Sequence, residues 1–289
     1  MPIMTFQVSD GQFGKVMKLR EEWTDDVLPY VRSNSIEELV LRKLSSSKWY
    51  SLSFLDHFVS IKALRLFGDL TTNINPIHQL HNLVCLQLYE HSEEPIDFGA
   101  FPCLDQCTIN FSKNRNSISQ CANLTYVHLQ GYSYKDLTRL EPLKNLTTLK
   151  LAQGPITDIA SVTSFPNLNC LDLAFLRNMS DISPISTLSN IETLSLVNCK
   201  AITSLDAISS LRKLRHLSFS NCGVIDSISP IASCRELESV NFTEGTIIKD
   251  GDLRVLLNLP KLRRVGFANR SHYNLTLAQA LEHIKSEGK

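Results

Sequence analysis

Neither sign of charge is in excess in this 289-residue chain: Lys and Arg together number 29, as do Asp and Glu, and the formal net charge is zero. Such a chain has no long-range field to draw in nucleic acid or an anionic membrane, so a partner must be recognised locally. No stretch approaches the roughly 18 consecutive apolar residues that a membrane helix needs. The opening MPIMTFQVSDGQFGKVMKLREEW has polar Gln7, Ser9, Asp10 and Gln12 where a secretory signal would be unbroken and apolar, so the chain is expected to be cytoplasmic. Asn123-Leu-Thr and Asn145-Leu-Thr then carry no glycosylation meaning. Also missing are a Walker-type loop, an HExxH helix, a CxxC pair and a dinucleotide fingerprint, and with them any cofactor or metal to expect.

What is present in quantity is apolar side chain, 43% against 20% charged, enough to bury a continuous core. It is arranged periodically. NLTTLKL at Asn145, NLNCLDL at Asn167, NIETLSL at Asn190 and KLRHLSF at Lys213 share the pattern L-x-x-L-x-L. The first apolar residue recurs at Ile36, Ile61, Leu83, Leu104, Leu124, Leu146, Leu168, Ile191, Leu214, Leu237 and Leu262, eleven copies at intervals of 20 to 25 residues. Between them, Ile156, Ile159, Val162 and Ile182, Ile185, Leu188 recur every third residue. That spacing predicts short 3-10 turns in place of full helices.

On these motifs the chain resembles the leucine-rich repeat family, over about residues 36 to 270, with short units similar to those of bacterial internalins. The resemblance implies an α/β solenoid, a horseshoe with a parallel concave sheet of about eleven strands and short 3-10 or irregular convex segments. Alternation along a strand agrees with it: the fourth and sixth residues of each copy face the core, and the third, fifth and seventh face out. No copy buries its apolar side alone, so an N-terminal cover is expected at 1–35, repeats at 36–246, and the last repeat with a C-terminal cover at 247–289. TDDVLPYVRS predicts a short helix capped by Thr24, and Leu275, Ala278 and Leu281 are spaced for a final helix.

Placed in this frame, Cys107, Cys121 and Cys234 are core substitutes, and Cys199 and Cys222 occupy the ninth position as buried free thiols. Cys85 and Cys170, at the third position, are the two expected to be accessible. Asp172, Ser195 and His216 fall on adjacent strands, but the serine lies between acid and histidine, whereas a hydrolytic triad needs the histidine in the middle. Catalysis is therefore not expected.

The outward positions form the candidate binding surface. Arg65, Phe67, Gln87, Tyr89, Asn110, Phe111, Tyr126, His128 and Gln130 give an aromatic-rich run across four consecutive copies; Lys150, Asp172 and Phe175 extend it more sparsely. Tyr, Phe and Arg concentrate binding energy at interfaces, which favours a partner over mere cross-strand stacking. The basic Lys261, Arg263 and Arg264 lack the interleaved aromatics of an RNA site and are taken as a solvated edge. The expectation is a monomeric, non-enzymatic binder of one protein partner, without nucleic acid, membrane or cofactor. The end KDGDLRVLLNLPKLRRVGFANRSHY is similar to that of small cytosolic bacterial repeat proteins that act as immunity factors, which implies a toxin domain as partner. The alternative is a regulatory or scaffold subunit gripping a housekeeping enzyme such as a phosphatase.

Overall fold

A computed structural model describes residues 6–42, 51–68, 73–89 and 94–287. They fall in two compact units, Met1–Leu129 and Gln130–Lys289. In the first, β1 (Phe6–Asp10) and β2 (Lys15–Leu19) form an antiparallel hairpin whose turn is closed by the Gly11 N–H donating to the Gly14 carbonyl at 2.8 Å. Strand β2 then pairs in parallel with β3 (Ile36–Arg42), the first repeat strand. Helix α1 (Leu28–Ser33) links the two after a single 3-10 turn, Asp25–Val27. Thr24 does not cap it: its hydroxyl donates to Asp26 and leaves the helix N–H groups unserved by its side chain. Strands β4 (Ala63–Phe67), β5 (Cys85–Tyr89), β6 (Gln106–Asn110) and β7 (Tyr126–Gln130) follow in sequence order.

The second unit repeats the arrangement with β8 (Thr148–Ala152), β9 (Cys170–Ala174), β10 (Thr193–Val197) and β11 (His216–Ser218), all parallel. A two-residue β12 (Val224–Ile225) leaves the main sheet; β13 (Ser239–Phe242) rejoins it; β14 (Ile247–Ile248) pairs with β12; and β15 (Arg264–Phe267) ends the stack. All eleven expected repeat strands are present, each beginning at or two residues after the first apolar residue of its copy. The antiparallel hairpin ahead of them was not expected.

Burial follows the alternation. Leu149, Leu151, Leu171, Leu173, Leu194 and Leu196, at the fourth and sixth positions, are all buried, and the intervening residues of these three strands, β8 to β10, are not. Toward the C-terminal end the sixth position turns aromatic, and Phe219, Phe242 and Phe267 stack at 5.1 Å per step, one ring per coil. The return path is built from 3-10 turns such as Ala160–Ser164 and Ser183–Thr187. A short polar side chain opens each of them: Asp136, Asp158 and Asp181 accept from the N–H two residues on, at 3.0, 2.7 and 2.7 Å, and Ser204 and Ser227 do the same at 3.0 Å. The Thr138 hydroxyl and N–H hold the Asp136 carboxyl below the usual carboxylate range, and the Ser183 N–H and hydroxyl do the same for Asp181. The final helix α2 (Leu277–Ser286) carries a full capping box, with Thr276 and Gln279 exchanging hydrogen bonds. Its buried face is Ala280 and Ile284, one step round from the expected Ala278 and Leu281.

Candidate functional site

The outward face of the first unit is organised by cross-strand pairing. Parallel register sets Arg42 beside Phe67 and Phe67 beside Tyr89, all at the seventh position of their copies. At one strand spacing, flat side chains in adjacent strands stack. The Phe67 and Tyr89 rings lie 4.8 Å apart at 8°, and the Arg42 guanidinium sits 5.5 Å from the Phe67 centroid, over its ring. Partial burial raises the Tyr89 phenol pKa. The result is a three-member stack that exists before any partner arrives. Gln87, Asn110, Tyr126 and His128 are half-buried on the same unit. Arg42 was overlooked in the sequence although it is the seventh residue of the first copy; counting the register from Ile36 would have found it.

Two of the expected contact residues, Arg65 and Phe111, are engaged within the chain or buried. The Arg65 guanidinium is 2.5 Å from Glu38, with side-chain exposures of 19% and 1% respectively. Glu38 also accepts from the Phe13 N–H at 2.6 Å, so this carboxylate ties the hairpin turn to β4. Ala63 and Cys85, in register on β4 and β5, are both fully buried. Cys85 is thus closed off, contrary to the expectation from its third position, and burial pushes its thiol pKa up. Phe111, expected to face outward, is buried. Its copy is the shortest, 20 residues, and the chain turns into the core one residue early. Behind it lies Arg115, fully buried where the next copies have Leu137 and Ile159; it donates to the Glu94 and Asn110 carbonyls at 3.2 and 2.8 Å.

In the second unit the eighth position is a corner that takes left-handed backbone: Gly131, Gln153, Phe175, Asn198, Asn221 and Glu244 all have φ between 54 and 74°. The cause is visible in the sheet, where the N–H of this residue continues the ladder by donating to the seventh carbonyl of the next coil, as Phe175 does to Val197 at 2.7 Å. Gly and Asn suit such a φ; a phenylalanine does not. Phe175 is nevertheless 42% exposed. It stands beside the in-register, half-buried Ala152, Ala174 and Val197. Lys150 and Asp172 are also in register and half-buried, and Gln130 is exposed. Ser195 pairs with Asp172, while His216 pairs with Thr193, so the serine separates the acid from the histidine as the sequence frame had it.

The ninth position builds an internal ladder. The Cys199 thiol donates to the Leu173 carbonyl at 3.4 Å and Cys222 to Leu196 at 3.1 Å. Thr246, one residue further on in its copy, donates to Phe219 at 2.7 Å. Each bond reaches the sixth carbonyl of the coil before. All eight cysteines are free thiols, and burial raises Cys199 to about 12. Cys103, which was not expected to be accessible, is exposed, and Cys170 is half-buried. Tyr132 fills the ninth position of its copy with a buried ring, and in the next copy Gly154 (φ 149°) makes room: a Cβ there would come within 2.2 Å of the Tyr132 carbonyl. Among the described residues there is no group of His, Cys, Asp and Glu that could hold a metal, and no helix long and apolar enough to cross a membrane.

No family model matches the chain, and no curated protein does. Solved structures are similar to it. An internalin (inlF) from Listeria monocytogenes superposes with a TM-score of 0.60 at 16% identity, covering 93% of this chain and 84% of that one. The functional domain of InlJ from Listeria monocytogenes, which includes a cysteine ladder, does so with a TM-score of 0.52 at 17% identity, over 84% of this chain and 59% of that one. These likenesses show a leucine-rich repeat fold.

Proposed function

We propose that this leucine-rich repeat chain is a non-enzymatic, monomeric, cytoplasmic protein of a bacterium that binds one protein partner through its outward strand face. The observation that supports the reading is the Arg42–Phe67–Tyr89 stack, with Tyr126 and His128 on the same unit. A ring already stacked on its neighbour has little rotamer freedom left to lose on binding. In the second unit Gln130, Lys150, Asp172 and Phe175 are separate candidates for contact. The specific reading is an immunity protein that binds and neutralises a cognate toxin; its support is the similarity of the C-terminal stretch to that of immunity factors.

The test is to identify what co-purifies with the tagged chain from native lysate, and to repeat the capture with Tyr89→Ala and Tyr126→Ala. A toxin domain, with each substitution weakening binding by about tenfold or more, fits the proposal. A phosphatase or other housekeeping enzyme in its place sinks the immunity role. Undiminished binding by both variants means that the face is wrongly assigned.

A further inference from the structure

Strand β1 is the outermost strand of the first unit, and among the described residues no strand lies beyond it. The direction of its backbone groups follows from the turn. Gly11 and Gly14 form a hydrogen-bonded pair, and in an antiparallel ladder bonded and non-bonded pairs alternate. Ser9 and Gln7 are therefore bonded to β2, whereas Phe6, Val8 and Asp10 turn their N–H and C=O groups away from it. The residues opposite Phe6 and Val8 are Leu19 and Met17, both buried, so Phe6 and Val8 lie on the core side of the hairpin. They remain half-exposed, beside an open groove of about 530 Å³ that Tyr30 and Lys18 also line. Among the described residues, nothing finishes the core at the same edge where the backbone is unpaired.

Sheet edges are ordinarily blocked by lysine, proline, a bulge or an inward charge. The β1 sequence FQVSD has none of these except Asp10 at its end, and the irregularity at Lys15/Val16 lies on the other side of the hairpin, between β2 and β3.

We propose that the outer edge of β1 is a strand-addition site for an extended segment of a protein partner. The segment has apolar side chains at alternate residues to cover Phe6 and Val8, with an acid among the outward ones to face the exposed Lys18. Main-chain bonds to Phe6, Val8 and Asp10 give the affinity, and the apolar alternation gives the register. A second copy of this chain fits less well. Antiparallel self-pairing centred on Val8 sets each Phe6 against an Asp10. The site is independent of the stack on β3, β4 and β5.

The probe is the acetylated, amidated peptide TVEVTVT, titrated into the full-length isotope-labelled chain and followed by amide chemical shifts. Shifts centred on Phe6, Val8 and Asp10 are expected. Val8→Pro removes an outward N–H without breaking a β1–β2 bond, and it weakens binding by about tenfold or more. N-methylation of the peptide at its central residue does the same with the protein untouched, so a poorly folded variant cannot decide the result alone. The proposal is overturned by the absence of binding, by shifts that lie elsewhere, or by affinity indifferent to both changes. It is equally overturned by a dimer in sedimentation that Val8→Pro dissolves, which would make a second copy the occupant.

Discussion

Replacing Glu38 by alanine tests whether one buried carboxylate holds the hairpin onto the repeats. In the native chain it is 1% exposed and receives two donors, the Phe13 N–H at 2.6 Å and the Arg65 guanidinium at 2.5 Å. Removing it leaves a guanidinium that is only 19% exposed without its counter-charge. Breaking a buried pair in this way costs about 3–5 kcal/mol, because the orphaned charge cannot recover its hydration. Arg65→Ala should cost at least as much, since the carboxylate left behind is the more deeply buried member. The double variant should cost clearly less than the sum of the two, the difference being the coupling. Glu38→Gln, which keeps an acceptor for Phe13, should fall in between. The internal control is Lys62→Ala: it breaks the 2.8 Å pair to Glu37 on the same two strands, where the exposures are 46% and 34%, and surface pairs are worth about 0–1 kcal/mol. Urea unfolding gives the free energies. Hydrogen exchange of the β1 and β2 amides shows whether the hairpin opens ahead of the repeats, as nearest-neighbour stability in a repeat array allows. If Glu38→Ala costs no more than Lys62→Ala, or the double variant is additive, the argument is refuted.

Phe175→Asn should stabilise the fold by about 0.5–1 kcal/mol, since asparagine tolerates the left-handed corner and a 42% exposed ring loses little burial; a simultaneous loss of partner affinity would mark the phenylalanine as a contact. Arg115→Ala should cost about 3 kcal/mol or more, from the cavity and from the loss of its bonds to the Glu94 and Asn110 carbonyls, whereas Arg115→Leu, which matches the neighbouring copies and fills the cavity, should cost less than half as much in the same urea assay. Under native conditions a thiol reagent should modify Cys103 quickly and Cys170 slowly, and the remaining six only on unfolding. Stability should fall at alkaline pH, because Cys121 and Cys199 are raised from 9.0 to about 12 and Cys234 to about 11. A raised folded pKa gives stability that is intact below the unfolded value of 9.0 and is lost as pH climbs through the folded values. Alanine at these three positions should flatten the urea midpoint above pH 9, the ordinary thiol value.

The repeat strands were legible because each copy states the same inward leucines, and eleven agreeing copies outweigh any local ambiguity. The 3-10 turns were legible for the same reason, from Ile182, Ile185 and Leu188 at three-residue steps. What escaped was non-repeating. VSDGQFGKVM encodes a hairpin through a four-residue turn bounded by Gly11 and Gly14, but a single occurrence has no second copy to confirm it. On the strand face, period two gives the side on which a residue lies, not what its side chain does there. Arg65 and Phe67 both lie on the outward side of β4, yet one is drawn to Glu38 and the other to Tyr89. Phe111 went astray because the frame was carried unchanged into the shortest copy, one residue shorter than the copy before it and two shorter than the copy after.

The ninth-position ladder has a consequence for how such a chain can change in length. Cys199 and Cys222 count nine residues from the start of their copy and Thr246 counts ten, and all three reach back to the sixth carbonyl of the coil before, so this stretch accepts a change of one residue only where the side chain that follows still reaches that carbonyl. The remainder of the copy bears no such count, and the eleven copies differ there, at intervals of 20 to 25 residues. Larger gains and losses of residues are thereby steered to the return path, so copies can differ in length while the strands keep their spacing.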